Sequence, residues 1–330
     1  MQYLQNIVEK ARYKRQNIAL AEGEDPRIIE AASRASRDGI ANCILIGNED
    51  VIRRQAQDSD FNLTDIRIED PTSSQYHHGY SQTLQEIRKH KGMTLAEAGQ
   101  QLLEPLCFAD VMLRSGDADG SIAGARYTTG DRVRSALQIV GVAPDFNLVS
   151  SFMLMLFEAE HHQPKQAMIF SDCALIIDPQ SEELAEIALA AVQSARQLLN
   201  DEPRVAMLSF SSEGSASHEF VDKVRVATEL ARQQMPGVAI DGEVQLDAAV
   251  VASVAEQKLS SSQTHGTANV LIFPDLNAGN IGYKIAQRFG GVTAIGPILQ
   301  GLSRPANDLS RGCSVDDVYY LIALTAVQSQ

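Results

Sequence analysis

Residues 307–317 read NDLSRGCSVDD and run straight into an apolar stretch, VYYLIALTAV. Ser310, Arg311 and Asp317 place a hydroxyl donor, a permanent cation and a carboxylate close together in the chain. Such a set could hold an anion and move a proton. The same spacing also reads as a helix start. Ser314 can cap the helix, and Asp317, three residues on, sits where the acid of a capping box sits. Val318, Leu321, Ile322 and Ala326 would then line one helix face. Capping accounts for Ser314, Asp316 and Asp317. It leaves Ser310 and Arg311 unexplained, just upstream of a helix N-terminus, where negative charge is favoured.

Two further stretches could carry chemistry. In AGARYTTGDRVR (123–134) a strand delivers a small-residue loop into a helix start. Free backbone N–H groups, the hydroxyls of Thr128 and Thr129, and Arg134 about a turn further on could together bind an anion. The alternative is that one threonine caps the helix while Arg132 and Arg134 are solvated. In PDLNAGNIGYK (274–284), Gly279 and Gly282 would let the backbone approach a ligand. Asn280, Tyr283 and Lys284 would be polar donors at that mouth, or the segment is an ordinary turn. Cys173 and Cys313 could be nucleophiles, although buried free cysteines are usually inert. The histidine pairs at 77–78 and 161–162 lack metal-ligand spacing, so no metal is expected. SSEGSASHE (211–219) lacks the Lys-Ser/Thr of a P-loop, and no GxGxxG follows a strand.

The elements that must position these residues alternate along the chain. NIALAEG, NCILIG, DGSIAGA, KQAMIFSDCALII, PRVAMLSFS, ANVLIFPD and AIGPILQG read as strands. Between them lie helical patterns such as DPRIIEAASRASRDG with Gly39 as its stop. TLAEAGQQLLEPL has a Thr94–Glu97 capping box, and SEELAEIALAAVQSARQLLN has Ser181 as cap. Alternating βα units imply mainly parallel sheets with helices on both faces, and ligands at the carboxyl ends of the strands.

At 330 residues the chain exceeds one ordinary core, so two domains are expected. Hydrophobic residues are 44% and charged residues 21%, a globular composition. The formal charge of −14 excludes a general nucleic-acid or anionic-membrane binder. The longest apolar run, LVSSFMLMLF, is too short to span a bilayer. Four dispersed cysteines without CxxC point to reduced thiols and a cytoplasmic location.

Taken together, LAEGEDPRIIEAA, DGSIAGARYTTGDRVRSALQIVG, PRVAMLSFSSEGSAS, DGEVQLDAA, ANVLIFPDLNAGNIGYKIAQR and GPILQGLSRPANDLSRGCSVDD resemble the phosphate acetyltransferase (phosphotransacetylase) family, which includes phosphate butyryltransferases. The match runs nearly end to end and is most specific from Ala268 to Asp317. The resemblance implies a two-domain isocitrate-dehydrogenase-like α/β fold with mainly parallel sheets flanked by helices and an active site in the inter-domain cleft. It implies a discontinuous domain of residues 1–145 plus 298–330, a second domain of residues 146–297, and a homodimer. The implied reaction is acetyl-CoA plus phosphate giving acetyl phosphate plus CoA, with CoA as substrate and no separate cofactor. A preference for butyryl or propionyl groups, and a non-catalytic acyl-CoA-sensing role, remain as alternatives.

By motif, the resemblance assigns Asp317 as the base that takes the thiol proton, Arg311 as the grip on the phosphoryl group, and Ser310 as donor to the oxyanion or to Asp317. Thr128, Thr129 and Arg134 complete the anion pocket, and Arg88, in RKHKG, meets a CoA phosphate. The family often has histidine, alanine and proline where this chain has Tyr127, Gly130 and Ser135. Its proline-rich segment after the FSDC motif is here IIDPQ.

Overall fold

The structure, a computed structural model, describes residues 2–162 and 165–330. They fall into two compact units, Met1–Asn147 with Leu302–Gln330, and Leu148–Gly301. The chain therefore leaves the first unit and returns to it for its last strand and helix.

The strands are β1 Gln16–Leu20, β2 Ala41–Ile46, β3 Arg67–Glu69, β4 Gly120–Ala123, β5 Ser150–Phe157, β6 Gln166–Ser171, β7 Arg204–Leu208, β8 Ala239–Val244, β9 Val270–Ile272, β10 Thr293–Gln300 and β11 Ala306–Asp308. In the first unit they form a parallel sheet in the order β11-β4-β1-β2-β3. In the second the order is β10-β5-β6-β9-β7-β8, with β10/β5 and β5/β6 antiparallel and the other pairs parallel.

The first sheet is covered on both faces, which is why its strands read as nearly unbroken apolar runs. Ala19, Ala21, Ile44 and Ile46 pack with Phe108, Met112 and Leu84 on one side. The helices Pro26–Arg37 and Val315–Gln328 pack against the other. In the second unit Met155, Met168, Ala206 and Leu271 join the core under the helices.

Local signals set most helix ends. Asp25 caps Pro26–Arg37 through the Arg27 N–H, and Thr94 with Glu97 forms the expected capping box. Other boundaries differ from the sequence reading. Gln180, not Ser181, caps Ser181–Leu198, pairing with Glu183, while the Ser181 hydroxyl donates to the Lys223 carbonyl. The stretch 274–284 is not a turn but the start of the helix Leu276–Gly290, which Asp275 launches by accepting from the Ala278 N–H. The run LVSSFMLMLF is β5, a buried central strand. β11 carries no strand signal of its own, because three residues are too few to show a pattern. It is defined by its partner, Asp308 lying against Ala123 of β4. No helix among the described residues is long and apolar enough to cross a membrane.

Candidate active site

The carboxyl ends of β1, β4 and β11 converge in the first unit, and the loops that leave them are tied together. Leu309 donates its N–H to the Ala123 carbonyl at 2.7 Å. Gly124, at φ +116, is wedged so closely that a Cβ would overlap Asp308 Oδ1 and the Leu309 backbone. Arg27, from the helix behind, donates to the carbonyls of Ala125 (3.1 Å), Arg311 (2.9 Å) and Cys313 (3.1 Å). One guanidinium thus fixes the 125–129 loop to the Ser310–Cys313 turn. Asp25 and Arg126 reinforce it: Asp25 accepts from Arg27 and from Arg126. Burial alone would raise Asp25, but the Arg27 hydrogen bonds outweigh it and hold the carboxyl below its ordinary value.

Ser310, Arg311, Thr128, Thr129 and Asp317 are therefore gathered at one end of one sheet. The Arg311 side chain is exposed and has no hydrogen-bond or ion-pair partner among the described residues, a bare cation on the turn that follows β11. Asp317 forms the capping box with Ser314. Its Oδ2 accepts the Ser314 N–H and hydroxyl, both at 2.8 Å, and Ser314 Oγ accepts the Asp317 N–H at 3.2 Å. Asp316 is paired with Arg34 at 2.8 Å. Capping and availability coexist, because Asp317 is exposed and its Oδ1 accepts nothing among the described residues.

The 124–129 loop is not the open nest the sequence suggested. The N–H groups of Gly124, Ala125, Arg126 and Tyr127 all donate to the Glu22 carboxylate, at 2.6–2.9 Å. Glu22 is buried at the end of β1, over a hundred residues away in sequence, and nothing local announces it. The threonine hydroxyls are also committed. Thr128 caps the helix Thr129–Ser135, accepting from Asp131 N–H and donating to Asp131 Oδ2. Thr129 donates to Asp308 Oδ2 at 2.7 Å.

Arg132 and Arg134 have opposite fates. Two positions apart on a helix, they point to nearly opposite sides. Arg134 is exposed, pairs with Asp131 at 2.9 Å, and lines a cavity of about 270 Å³ with Tyr127 and Glu104. Arg132 is not solvated: it is 0% exposed and its Nη1 donates to both Asp110 carboxylate oxygens, at 2.8 and 2.7 Å. It also donates to Ser121 Oγ and to the Asn307 carbonyl. Ser121 and Ser135 complete the shell of Asp110, so the serine at 135 has a structural use that a proline could not supply.

The remaining candidates stand on other elements. Arg88 ends the helix His77–Arg88 in the first unit and makes no side-chain bond among the described residues. Asn280, Tyr283 and Lys284 belong to the second unit and lie inside a helix, not at a loop mouth. Asn280 donates to the Cys173 carbonyl at 3.0 Å and accepts from Lys284 Nζ at 2.7 Å. Lys284 also stands over the Tyr283 ring. Gly279 serves packing, since a Cβ there would overlap the Asp172 carbonyl. In SSEGSASHE the Ser211 hydroxyl and the Gly214 N–H donate to buried Glu243, so this loop cradles a protein carboxylate.

All four cysteines are unpaired and buried. Burial pushes the Cys43 and Cys107 thiols up to about 12 and Cys173 well above its ordinary value. At Cys313 burial outweighs the lowering effect of Arg27 and again raises the thiol. None has the thiolate character of a nucleophile.

The described site is thus an unpaired arginine, an accessible carboxylate and a threonine pair at the carboxyl ends of parallel strands, the edge at which such sheets bind ligands. The sequence matches the phosphate acetyl/butaryl transferase family over residues 2–326, and the chain belongs to that family. It is 48% identical to the phosphate acetyltransferase of Thermoanaerobacterium thermosaccharolyticum, covering 100% of both chains. It is 44% identical to that of Clostridium acetobutylicum, covering 100% of this chain and 99% of the relative. Among solved structures, the EutD phosphotransacetylase from Staphylococcus aureus is 40% identical with a TM-score of 0.93, covering 100% of this chain and 98% of the other. A phosphotransacetylase from Streptococcus pyogenes is 40% identical with a TM-score of 0.94, covering 99% and 98%.

Proposed function

We propose that this chain transfers an acetyl group reversibly between CoA and inorganic phosphate, by direct attack of the CoA thiol on acetyl phosphate in a ternary complex. The observation that supports the reading is the unpaired, exposed Arg311 side chain on a turn whose backbone Arg27 ties to the Ala125 loop leading to Thr128 and Thr129, in a chain of this family. Three tasks are required: taking the thiol proton, stabilising the oxyanion and neutralising the departing phosphate. Arg311 grips the phosphoryl oxygens, with Thr129 and Arg134 completing the anion pocket. Thr128 shapes the loop as its helix cap. Ser310 donates to the oxyanion or to Asp317, and Asp317 is the base. An ordinary aspartic acid, near ~3.9, is a poor match for a thiol near ~8.5. Bound CoA covering the exposed Asp317 would exclude water from the thiol and the carboxylate that takes its proton. Arg88 would meet a CoA phosphate, and Asn280, Tyr283 and Lys284 are substrate-binding candidates on the second unit. No cofactor beyond the substrates is required.

The deciding assay is acetyl-CoA formation from acetyl phosphate and CoA. Arg311→Ala should lose about a hundredfold to a thousandfold in kcat, as expected for removing a charge aimed at the transition state. Wild-type-like turnover by that variant, or no turnover by the wild type, would overturn the assignment.

The four reduced, buried thiols fit a cytoplasmic protein. A homodimer is supported by the outer face of the helix Leu276–Gly290, where Ile281, Ile285 and Phe289 are exposed at four-residue spacing, Phe289 by 89%. Sedimentation should give a dimer that Phe289→Glu dissociates; a monomeric wild type would refute this.

A further inference from the structure

Asp308 sits on β11 between the phosphate-handling loop and the Ser310–Arg311 turn, and no part of the mechanism above uses it. The side chain is 1% exposed. Its Oδ2 accepts the Thr129 hydroxyl, while Oδ1 is buried with no hydrogen-bond partner among the described residues. A buried carboxylate oxygen left bare is costly. The surroundings are unequal for two neighbouring acids: Glu22, across Gly124, collects four N–H donors, whereas Asp308 has one hydroxyl and only a share of the Leu309 N–H, which bonds the Ala123 carbonyl. Facing Asp308 are Thr129 and Arg132 from the helix Thr129–Ser135, Glu22 from the end of β1, the Gly124 backbone and the Leu309 N–H. Asp25 and Arg27 stand one layer out, bound to each other, with Arg27 also on the Ala125 and Arg311 carbonyls. Arg132 could neutralise Asp308, but its guanidinium is spent on Asp110, Ser121 and the Asn307 carbonyl.

The direction of the Thr129 hydroxyl follows from the state of Asp308. With Asp308 ionised, the only proton on Thr129 Oγ1 is given to the carboxylate, so the oxygen turns lone pairs, not a donor, toward an incoming anion. We propose that Asp308 is a positioning residue that takes up one proton from solvent when phosphate or acetyl phosphate binds. The new O–H then donates to Thr129 Oγ1, and the Thr129 hydroxyl proton swings round to the substrate's anionic oxygen. This rests on the reading that phosphate binds at Thr129. Burial, helped by the Glu22 charge and opposed by the Thr129 bond and Arg132, lifts the Asp308 carboxyl to about 6, so the proton is available in the working range. The sign is fixed: the acid is protonated below about pH 6, so phosphate affinity falls as pH rises through that value.

The test is calorimetric titration of the full chain with inorganic phosphate at several pH values, in buffers of different ionisation enthalpy. Phosphate's own ionisation contributes equally to every variant, so differences between proteins report Asp308. Wild type should take up more protons than Asp308→Asn, whose amide N–H donates permanently to Thr129. Asp308→Asn should bind phosphate with the low-pH affinity throughout. Thr129→Val, which has no hydroxyl to turn, should bind about tenfold more weakly at low pH, the cost of one charge-assisted hydrogen bond. A purely structural Asp308 would instead make Asp308→Asn weaken binding as Thr129→Val does, at every pH. That result, or a proton count in Asp308→Asn equal to wild type, overturns the proposal. Should Asp308→Asn fail to fold, wild-type proton uptake retained in Thr129→Val overturns it. A wild type that binds phosphate but forms no acetyl-CoA counts against the functional reading alone, whereas one that does not bind phosphate overturns both.

Discussion

Asp317→Asn should lower turnover by about a hundredfold to ten-thousandfold, the range for loss of a general base, while the protein stays folded and still binds CoA. The structure makes this a clean experiment. Asp317 Oδ2 accepts two bonds from Ser314, and an asparagine oxygen can accept both. Only the charge at the helix N-terminus is lost, about 1 kcal/mol or less. If Asp317 were merely the capping acid, the variant would melt slightly earlier and turn over normally. Initial rates of acetyl-CoA formation beside a urea denaturation curve separate the outcomes. Near-normal kcat with reduced stability would return Asp317 to a purely structural role.

The largest effect on stability is expected at Arg132. Arg132→Met should cost about 3–5 kcal/mol, the usual price of leaving one half of a buried ion pair alone. Asp110 would keep the Ser121 and Ser135 hydroxyls but lose the guanidinium nitrogen that bridges both its oxygens in a fully buried site. The consequence reaches the active site, because the same guanidinium holds the Asn307 carbonyl next to Asp308. Arg132→Met combined with Asp110→Leu should recover much of the loss, since an apolar pair of similar volume needs no charge compensation. Equilibrium urea unfolding of the single and double variants measures both. A single-variant cost below about 1 kcal/mol would mean that Asp110 is satisfied without the arginine.

Much of the architecture was legible along the chain because its causes are local. A capping box needs residues three apart, and Thr94–Glu97 and Ser314–Asp317 both form as their spacing predicts. Parallel strands buried on both faces read as apolar runs, which is why β1, β2, β4 and β9 stood out. The motif carrying Ser310, Arg311 and Asp317 was likewise visible in one stretch.

What pattern could not reach are the polar groups whose partners lie far away in sequence. Glu22 takes the N–H groups that made residues 124–127 look like an open anion nest. Arg132 looked as solvated as Arg134 until the helix turned one inward onto Asp110 and the other outward. Asp308 gained its burial only when β11, three residues long, paired with β4. The sequence alone determined the capping boxes at Thr94 and Ser314, the alternation of strand and helix, and the residues of the motif. Tertiary structure decided which charges are buried, which hydroxyl protons are already spoken for and which arginine is left bare. Those outcomes depend on long-range pairing and desolvation, and neither leaves a periodic trace in the chain.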